Sequence, residues 1–450
     1  MPFPSLPRAA GLALLCAAVL LTRLPFLGAG YGLHADNWRT ALAARHIAET
    51  GVYEYSRAPG YPVQEYVCSW FWKTGPVGLN LLDALFCTAA ALFFALICIE
   101  YGVADWWLAG FALAFVPILY VNSVSSKDFP WALAFLLAAW WCALRKKPLL
   151  TGLLLGLAMG CRITSGAAAL PIALILIDGA ENRVALRRVL VAGLVSAALV
   201  IGAFVPVYGR YGFGFFDFYA EHAFPGPLQI AARMTLEVWG LLGLAGVAIA
   251  LLAGLIPRAS RPAGAAVSSR QLFAWVCMLA IYVIAFFCLP DEAAYLIPAV
   301  PFALLLVWRV APRWAFRVCC ALIILSPFFT LSGARPAAGL IIQDHRQRVA
   351  TDDLISKFLQ FTTRVSGSNA YIVGSWEPPI SVLTADAPVP NAKFLYLTTQ
   401  AELDQLVAHG WHVWYLPLMR EFNFRVYQFD VAAHGARDFR LLRPVRPPGS

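Results

Sequence analysis

The residues of this chain best suited to chemistry are charged ones that fall at the edges of long apolar runs. Asp36 lies near the start of "HADNWRTALAARHIAETG" (34–51), just after the first apolar run. Arg57, Tyr61 and Glu65 follow in "YEYSRAPGYPVQEY" (53–66). Lys127 and Asp128 sit in "NSVSSKDFP" (122–130), and Arg162 closes the Gly-rich "GLLLGLAMGCR" (152–162). Asp291, Glu292 and Tyr295 lie in "FFCLPDEAAYLIPAVPFALLL" (286–306). Carboxylates accept protons and orient cations, and a guanidinium fork matches the paired oxygens of a phosphate. Ionisable groups at the edge of a bilayer are expensive to place there, which favours a functional reading.

The elements that must position these groups are membrane spans. The chain has 450 residues, 60% hydrophobic and 13% charged, against roughly 25% charged in a soluble domain. A span needs about 20 apolar residues. Such runs occur near 9–27, 77–98, 104–122, 129–144, 149–162, 166–179, 188–207, 234–256, 271–289, 294–311 and 315–332, which predicts eleven spans. The break at "GCRITSG" reads either as a tight turn or as a bend in one element. The basic segments "RKKP", "ENRVALRR", "PRASRPAG…SSR" and "RVAPRWAFR" alternate with long mixed-charge loops, which places the N-terminus inside and the C-terminus outside. The first run is expected to remain as a span rather than be cleaved as a signal peptide. The net charge of +9 is thereby a matter of topology, and no nucleic-acid partner is implied. The ten cysteines are scattered, most of them in apolar runs, with neither metal-ligand nor disulfide spacing.

The outer side then carries the loops 28–76, 122–130 and 208–233 together with the segment 333–450. That segment reads as a small α/β extracytoplasmic domain: "SNAYIVGSW" and "WHVWYLPL" as strands, "DDLISKFLQFTTRV" and "QAELDQLVAHG" as helices. The division is thus a membrane domain at 1–332 and a soluble domain at 333–450. The stretch after His34 predicts a short helix capped by Ala35 or Asp36 and stopped by Gly51, lying on the outer surface with Trp38 at the headgroups.

Each charged group has a structural reading beside the functional one. Asp36 reads equally as a helix cap, Asp128 as a cap ahead of Phe129 and Pro130, Arg162 as a snorkelling cation. Arg57 reads also as a headgroup contact and Glu65 as a loop carboxylate. Asp83 and Glu237 are expected to be paired structural polars, and Asp291 and Glu292 to solvate a short loop.

Taken in order, these features resemble the GT-C superfamily of membrane glycosyltransferases, in particular the branch of protein O-mannosyltransferases and the lipid A aminoarabinose transferase. The resemblance covers about residues 10–330. It is carried by Asp36 in the first outer loop, Asp128-Phe129-Pro130 at a span entry, Arg162 ending a Gly-rich span where Lys is common, and Tyr295, Leu296, Pro298 and Pro301 in a return span. Two positions depart from it: Asn37 stands where a second acid is frequent, and Tyr66 rather than a cation follows Glu65.

What the resemblance implies is a GT-C-type helical bundle, mainly α, that transfers a sugar from a polyprenyl-phosphate donor to an acceptor hydroxyl on the outer, periplasmic face of an inner membrane. Asp36 would be the general base of an inverting displacement. Arg57, Arg162, Lys127 and Arg210 would bind the donor phosphate. Glu65, Asp128, Tyr61 and Tyr295 would bind the acceptor or orient those cations. Glu65, Asp128 and His222 are candidate ligands for a possible divalent metal. The acceptor class, whether glycan, lipid or protein, stays open. So do two other functions: a transporter or flippase of lipid-linked sugars, and a non-catalytic assembly factor.

Overall fold

Apolar periodicity, proline and glycine set the helix boundaries in the computed structural model, which describes residues 8–212, 225–256, 267–333, 335–396 and 400–415. Helix α1 (Arg8–Arg23) is followed by α2 (Ala35–Thr50), α3 (Pro62–Phe71) and α4 (Gly75–Glu100). One apolar run is split into α5 (Trp106–Phe115) and α6 (Pro117–Asn122). Val116, between them, is extended at φ −56° and ψ 125°, the conformation that a following proline imposes. Then come α7 (Phe129–Leu144), α8 (Pro148–Cys161), α9 (Ala169–Ile177) and α10 (Asn182–Tyr211). Next are α11 (Pro227–Met234), α12 (Leu236–Gly254), α13 (Ser269–Cys288), α14 (Val300–Val310) and α15 (Arg313–Leu325).

Among the described residues, six helical stretches are long and apolar enough to cross a membrane, and four shorter apolar helices accompany them. The protein is an integral, multi-pass membrane protein built as a helical bundle. Helix occurs in each of the eleven apolar runs, with one correction: the run 315–332 does not stay helical. Helix α15 ends at Leu325, Pro327 follows, and the chain turns into β1 (Phe329–Ser332), because proline cannot extend a helix. The "GCRITSG" segment is a break, with Arg162 extended at φ −159° and a 3-10 turn at Ile163–Ala168.

Close helix packing follows from small residues on α8. A methyl group at Gly152 would lie 2.4 Å from the Ala192 carbonyl oxygen of α10, and one at Gly156 would lie 2.7 Å from Leu199. Glycines four apart let two backbones approach in this way. Helix α8 is thereby fixed with its end, and Arg162, at one end of the bundle.

The C-terminal segment is α/β. Strand β1 pairs antiparallel with β2 (Arg335–Ala338), and α16 (Leu340–Thr362) follows. After it come β3 (Asn369–Ile372), α17 (Glu377–Thr384), β4 (Ala392–Leu395), α18 (Gln400–Ala408) and β5 (His412–Tyr415). The three strands form a parallel sheet in the order β4-β3-β5, the helices serving as crossovers. Ile355, Phe358, Tyr371 and Ile380 form its core. It docks on the bundle through Arg45–Asp386 at 2.7 Å and through His345 edge-on to Phe26.

Helix α2 ends as expected, at Gly51 with φ 70°. Its cap position is His34, not Ala35 or Asp36, and no side chain caps it. Trp38 is also displaced from its expected place. It is buried, donates its indole N–H to the Gly32 carbonyl at 2.9 Å and packs edge-on to Tyr31. The N-terminal half of this helix is therefore part of the packed core.

Candidate active site

Asp36 stands on α2, Arg162 at the end of α8 and Glu292 in the turn after α13. Two loops carry Arg57, Lys127 and Asp128, and each is held by buried polar side chains. The first is closed by Glu65 on the first turn of α3. Its Oε1 accepts the Ser56 N–H and hydroxyl, both at 2.6 Å. Its Oε2 accepts the Tyr53 hydroxyl at 2.5 Å and the Tyr61 N–H at 3.0 Å. A carboxylate offers about four lone-pair sites, and all are used in folding the loop that presents Arg57.

The second loop, 123–128, is tied at five consecutive residues. Arg23 of α1 donates to the Ser123 hydroxyl at 3.2 Å, and Arg348 of α16 to the Val124 carbonyl at 2.8 Å. The Asn37 amide of α2 donates to the Ser125 carbonyl. On α4, Asn80 accepts from the Ser126 hydroxyl at 2.8 Å, and Asp83 accepts the Lys127 N–H at 2.8 Å. Asp83 also accepts the Trp131 indole N–H at 2.6 Å. It is a buried structural polar whose partners are neutral donors rather than a cation. Glu237 forms no ion pair among the described residues.

These loops meet beside α2 at a cavity of about 730 Å³, lined among others by Asp36, Arg57, Tyr61, Arg162, Glu292 and Tyr295. Asp128 is fully buried beneath it. One of its oxygens accepts from Arg57, the other from Arg162 Nη1 at 2.7 Å. Arg57 Nε donates to the Tyr61 hydroxyl at 3.1 Å, and its Nη1 has no partner among the described residues. Arg162 lies over the rings of Phe129 at 4.1 Å and Tyr295 at 4.9 Å, contacts favourable for a desolvated guanidinium.

Asp36 is 27% exposed and faces three cations at the same distance: Arg39, Arg57 and Lys127, each at 3.7 Å. No described residue donates a hydrogen bond to its carboxylate. Lys127 Nζ also lies 3.2 Å from Glu292 Oε1. Burial works against charge on Asp36, yet Arg57 and Lys127 prevail and hold its carboxyl below the usual range. Asp128 is likewise held down by Arg162 and Arg57 against its burial. Glu292, with burial again opposing, is brought down to about 2 by Lys127, His34, Arg57 and Arg162.

The structure thus brings together Asp36, Arg57, Tyr61, Lys127, Asp128, Arg162 and Tyr295. Lys127 and Asp128 belong to this cluster but lie behind the cavity lining, and two further expected site residues, Glu65 and Arg210, stand apart from the cluster. Glu65 lies behind the Arg57 loop. Arg210, at the end of α10, donates to the Tyr53 carbonyl at 2.9 Å and pairs with Glu54 at 3.6 Å. His222, and most of the loop 208–233, lie outside the described residues. Glu292 is the site residue that the sequence reading left in a solvated loop. The oxygens of Glu65 and Asp128 do not fit a divalent metal, since hydrogen bonds and ion pairs already occupy them.

No protein-family model matches this chain, and no curated protein matches it in sequence. Among solved structures it is similar to the arabinosyltransferase EmbB from Mycobacterium smegmatis, determined by single-particle cryo-EM. The identity is 13% and the TM-score 0.43, over 87% of this chain and 40% of that one.

Proposed function

We propose that this protein is a GT-C-type membrane glycosyltransferase that moves a sugar from a polyprenyl-phosphate donor to an acceptor hydroxyl on the outer face of the membrane. The observation that carries the reading is Asp36: a carboxylate open to the cavity, ringed by cations and without a direct hydrogen bond from any described residue. Such a group stays ionised at neutral pH and keeps its lone pairs for an incoming hydroxyl. In this mechanism Asp36 takes the hydroxyl proton as the oxygen attacks the anomeric carbon. The bond from that carbon to the phosphate oxygen breaks, and the polyprenyl phosphate leaves with the electron pair. A carboxylate of low pKa suffices, because the hydroxyl becomes acidic late, as its oxygen bonds to an oxocarbenium-like carbon. Attack opposite the leaving group inverts the centre.

The leaving phosphate calls for positive charge rather than a proton. Arg57 and Arg162 both line the cavity; the buried Nη1 of Arg57 has no partner among the described residues, and Arg162 commits only Nη1 to Asp128 there. Asp128 fixes both guanidiniums, and Tyr61 supports Arg57 from below at 4.2 Å. Orientation with the site outside is supported by the basic segments of the opposite loops.

The test is release of polyprenyl phosphate from radiolabelled polyprenyl-phosphate hexoses and pentoses by the purified protein in nanodiscs, with envelope extract as the acceptor source. Release with sugar appearing in an acceptor is expected. No release in nanodiscs, with translocation of the intact donor across the bilayer of sealed proteoliposomes, would favour a flippase and contradict this reading.

A further inference from the structure

Each cation around Asp36 has a second partner that keeps it at a distance. Arg57 is anchored on Asp128 and Tyr61. Arg39 lies over the Tyr396 ring at 4.6 Å. Lys127 is held by Glu292 at 3.2 Å and lies 3.7 Å from Asp36 Oδ2. Of the three, Lys127 has the fewest alternatives. Its side chain is 3% exposed and cannot turn to water. Its backbone is pinned by Asp83.

An ammonium–carboxylate hydrogen bond settles at about 2.8 Å, so a shift of under an ångström would place Lys127 directly on Asp36. We propose that Glu292 is a positioning residue that holds the Lys127 ammonium off Asp36, leaving the Asp36 oxygens open to the acceptor hydroxyl while its field stays positive. The inference rests on the glycosyl-transfer reading above. Its consequence is specific. Without Glu292 the nearest carboxylate for a buried ammonium is Asp36, and a base that already accepts a lysine hydrogen bond has lost a lone pair and part of its basicity. Lys127 then acts as an inhibitor of the base it serves in the intact site.

The test compares wild type, Glu292→Ala, Lys127→Ala and the double variant in nanodiscs, reading polyprenyl-phosphate release from the same labelled donors. Glu292→Ala is expected to lower kcat about tenfold, with donor KM changed by less than about threefold. In the Lys127→Ala background the same substitution is expected to cost less than about twofold, because nothing is left to restrain. Glu292→Gln, closest in size, replaces the alanine variant if that protein does not fold. Full kcat in Glu292→Ala, or an equal loss in both backgrounds, would overturn the inference and leave the transferase reading intact. A wild type that releases polyprenyl phosphate from no donor would overturn both.

Discussion

Asp128 and Arg57 form a buried ion pair that Arg162 completes from the other side, one carboxylate oxygen to each guanidinium. The three residues come from three separate loops, so this carboxylate fixes the relative placement of the segment after α2, the turn after α8 and the start of α7.

Removing Asp128 leaves two nearly buried guanidiniums facing one another. Breaking a buried pair in this way costs about 3–5 kcal/mol. Asp128→Ala is expected to lower the apparent Tm of the purified protein by several degrees and to weaken donor binding together with turnover. A variant with unchanged Tm and turnover would show that the pair is dispensable.

Asn37 gives a prediction of opposite flavour. Its amide donates to the Ser125 carbonyl, and the residue is buried. Asn37→Asp would supply the second acid that the resemblance to GT-C enzymes leads one to expect here, yet a carboxylate cannot donate that hydrogen bond. The unpaired Ser125 carbonyl and a second negative charge beside Asp36 are expected to cost about 1–3 kcal/mol and to lower turnover. A variant as stable and active as wild type would remove Asn37 from the set of loop anchors.

Glu65 is expected to act through the loop it closes. Glu65→Gln replaces two accepting oxygens with one oxygen and an amide that meets N–H and O–H donors head-on. Hydrogen bonds to a charged group are worth about 1.5–3 kcal/mol each, so the 53–61 loop should loosen. Faster hydrogen exchange at the Ser56 and Tyr61 amides, with loss of donor affinity through Arg57, is the expected result. Unchanged exchange at both amides would contradict it.

The pH dependence follows from Glu292 and Asp36. Both carboxyls lie below their ordinary values in the fold, so the folded state favours the ionised forms. The stability that Glu292 contributes is fully present above its ordinary value of 4.5 and is lost as pH falls toward about 2. The difference in apparent Tm between wild type and Glu292→Gln should be constant from pH 7 to about 5 and shrink below that. Turnover should likewise show no carboxylate limb between pH 5 and 7. A limb near pH 6 would assign the base to a group other than Asp36.

Much of this arrangement was legible in the sequence. Apolar runs located the helices, Gly51 located the end of α2, and Asp36, Asp128 and Arg162 stood out as charges at span edges. The rest depended on contacts that sequence spacing does not encode. Lys127 and Glu292 are 165 residues apart, and nothing local distinguishes Glu292 from a loop acid. The partners of Glu65 are nearby, but they are hydroxyls and backbone amides that leave no pattern. Arg210 has the same residue type as Arg57, and only packing sends it to a backbone carbonyl. Helix α3 begins at Pro62, a favourable first helical position, inside a segment whose polar residues read as a loop.

The most direct measurement is donor turnover by Asp36→Asn in nanodiscs, read beside donor binding. The substitution keeps the shape of the side chain and removes the base. The account expects turnover to fall by at least about 100-fold, while donor affinity holds or rises because a negative charge beside the phosphate is gone. Turnover equal to wild type would contradict the account and leave Asp36 as a structural residue at the start of α2.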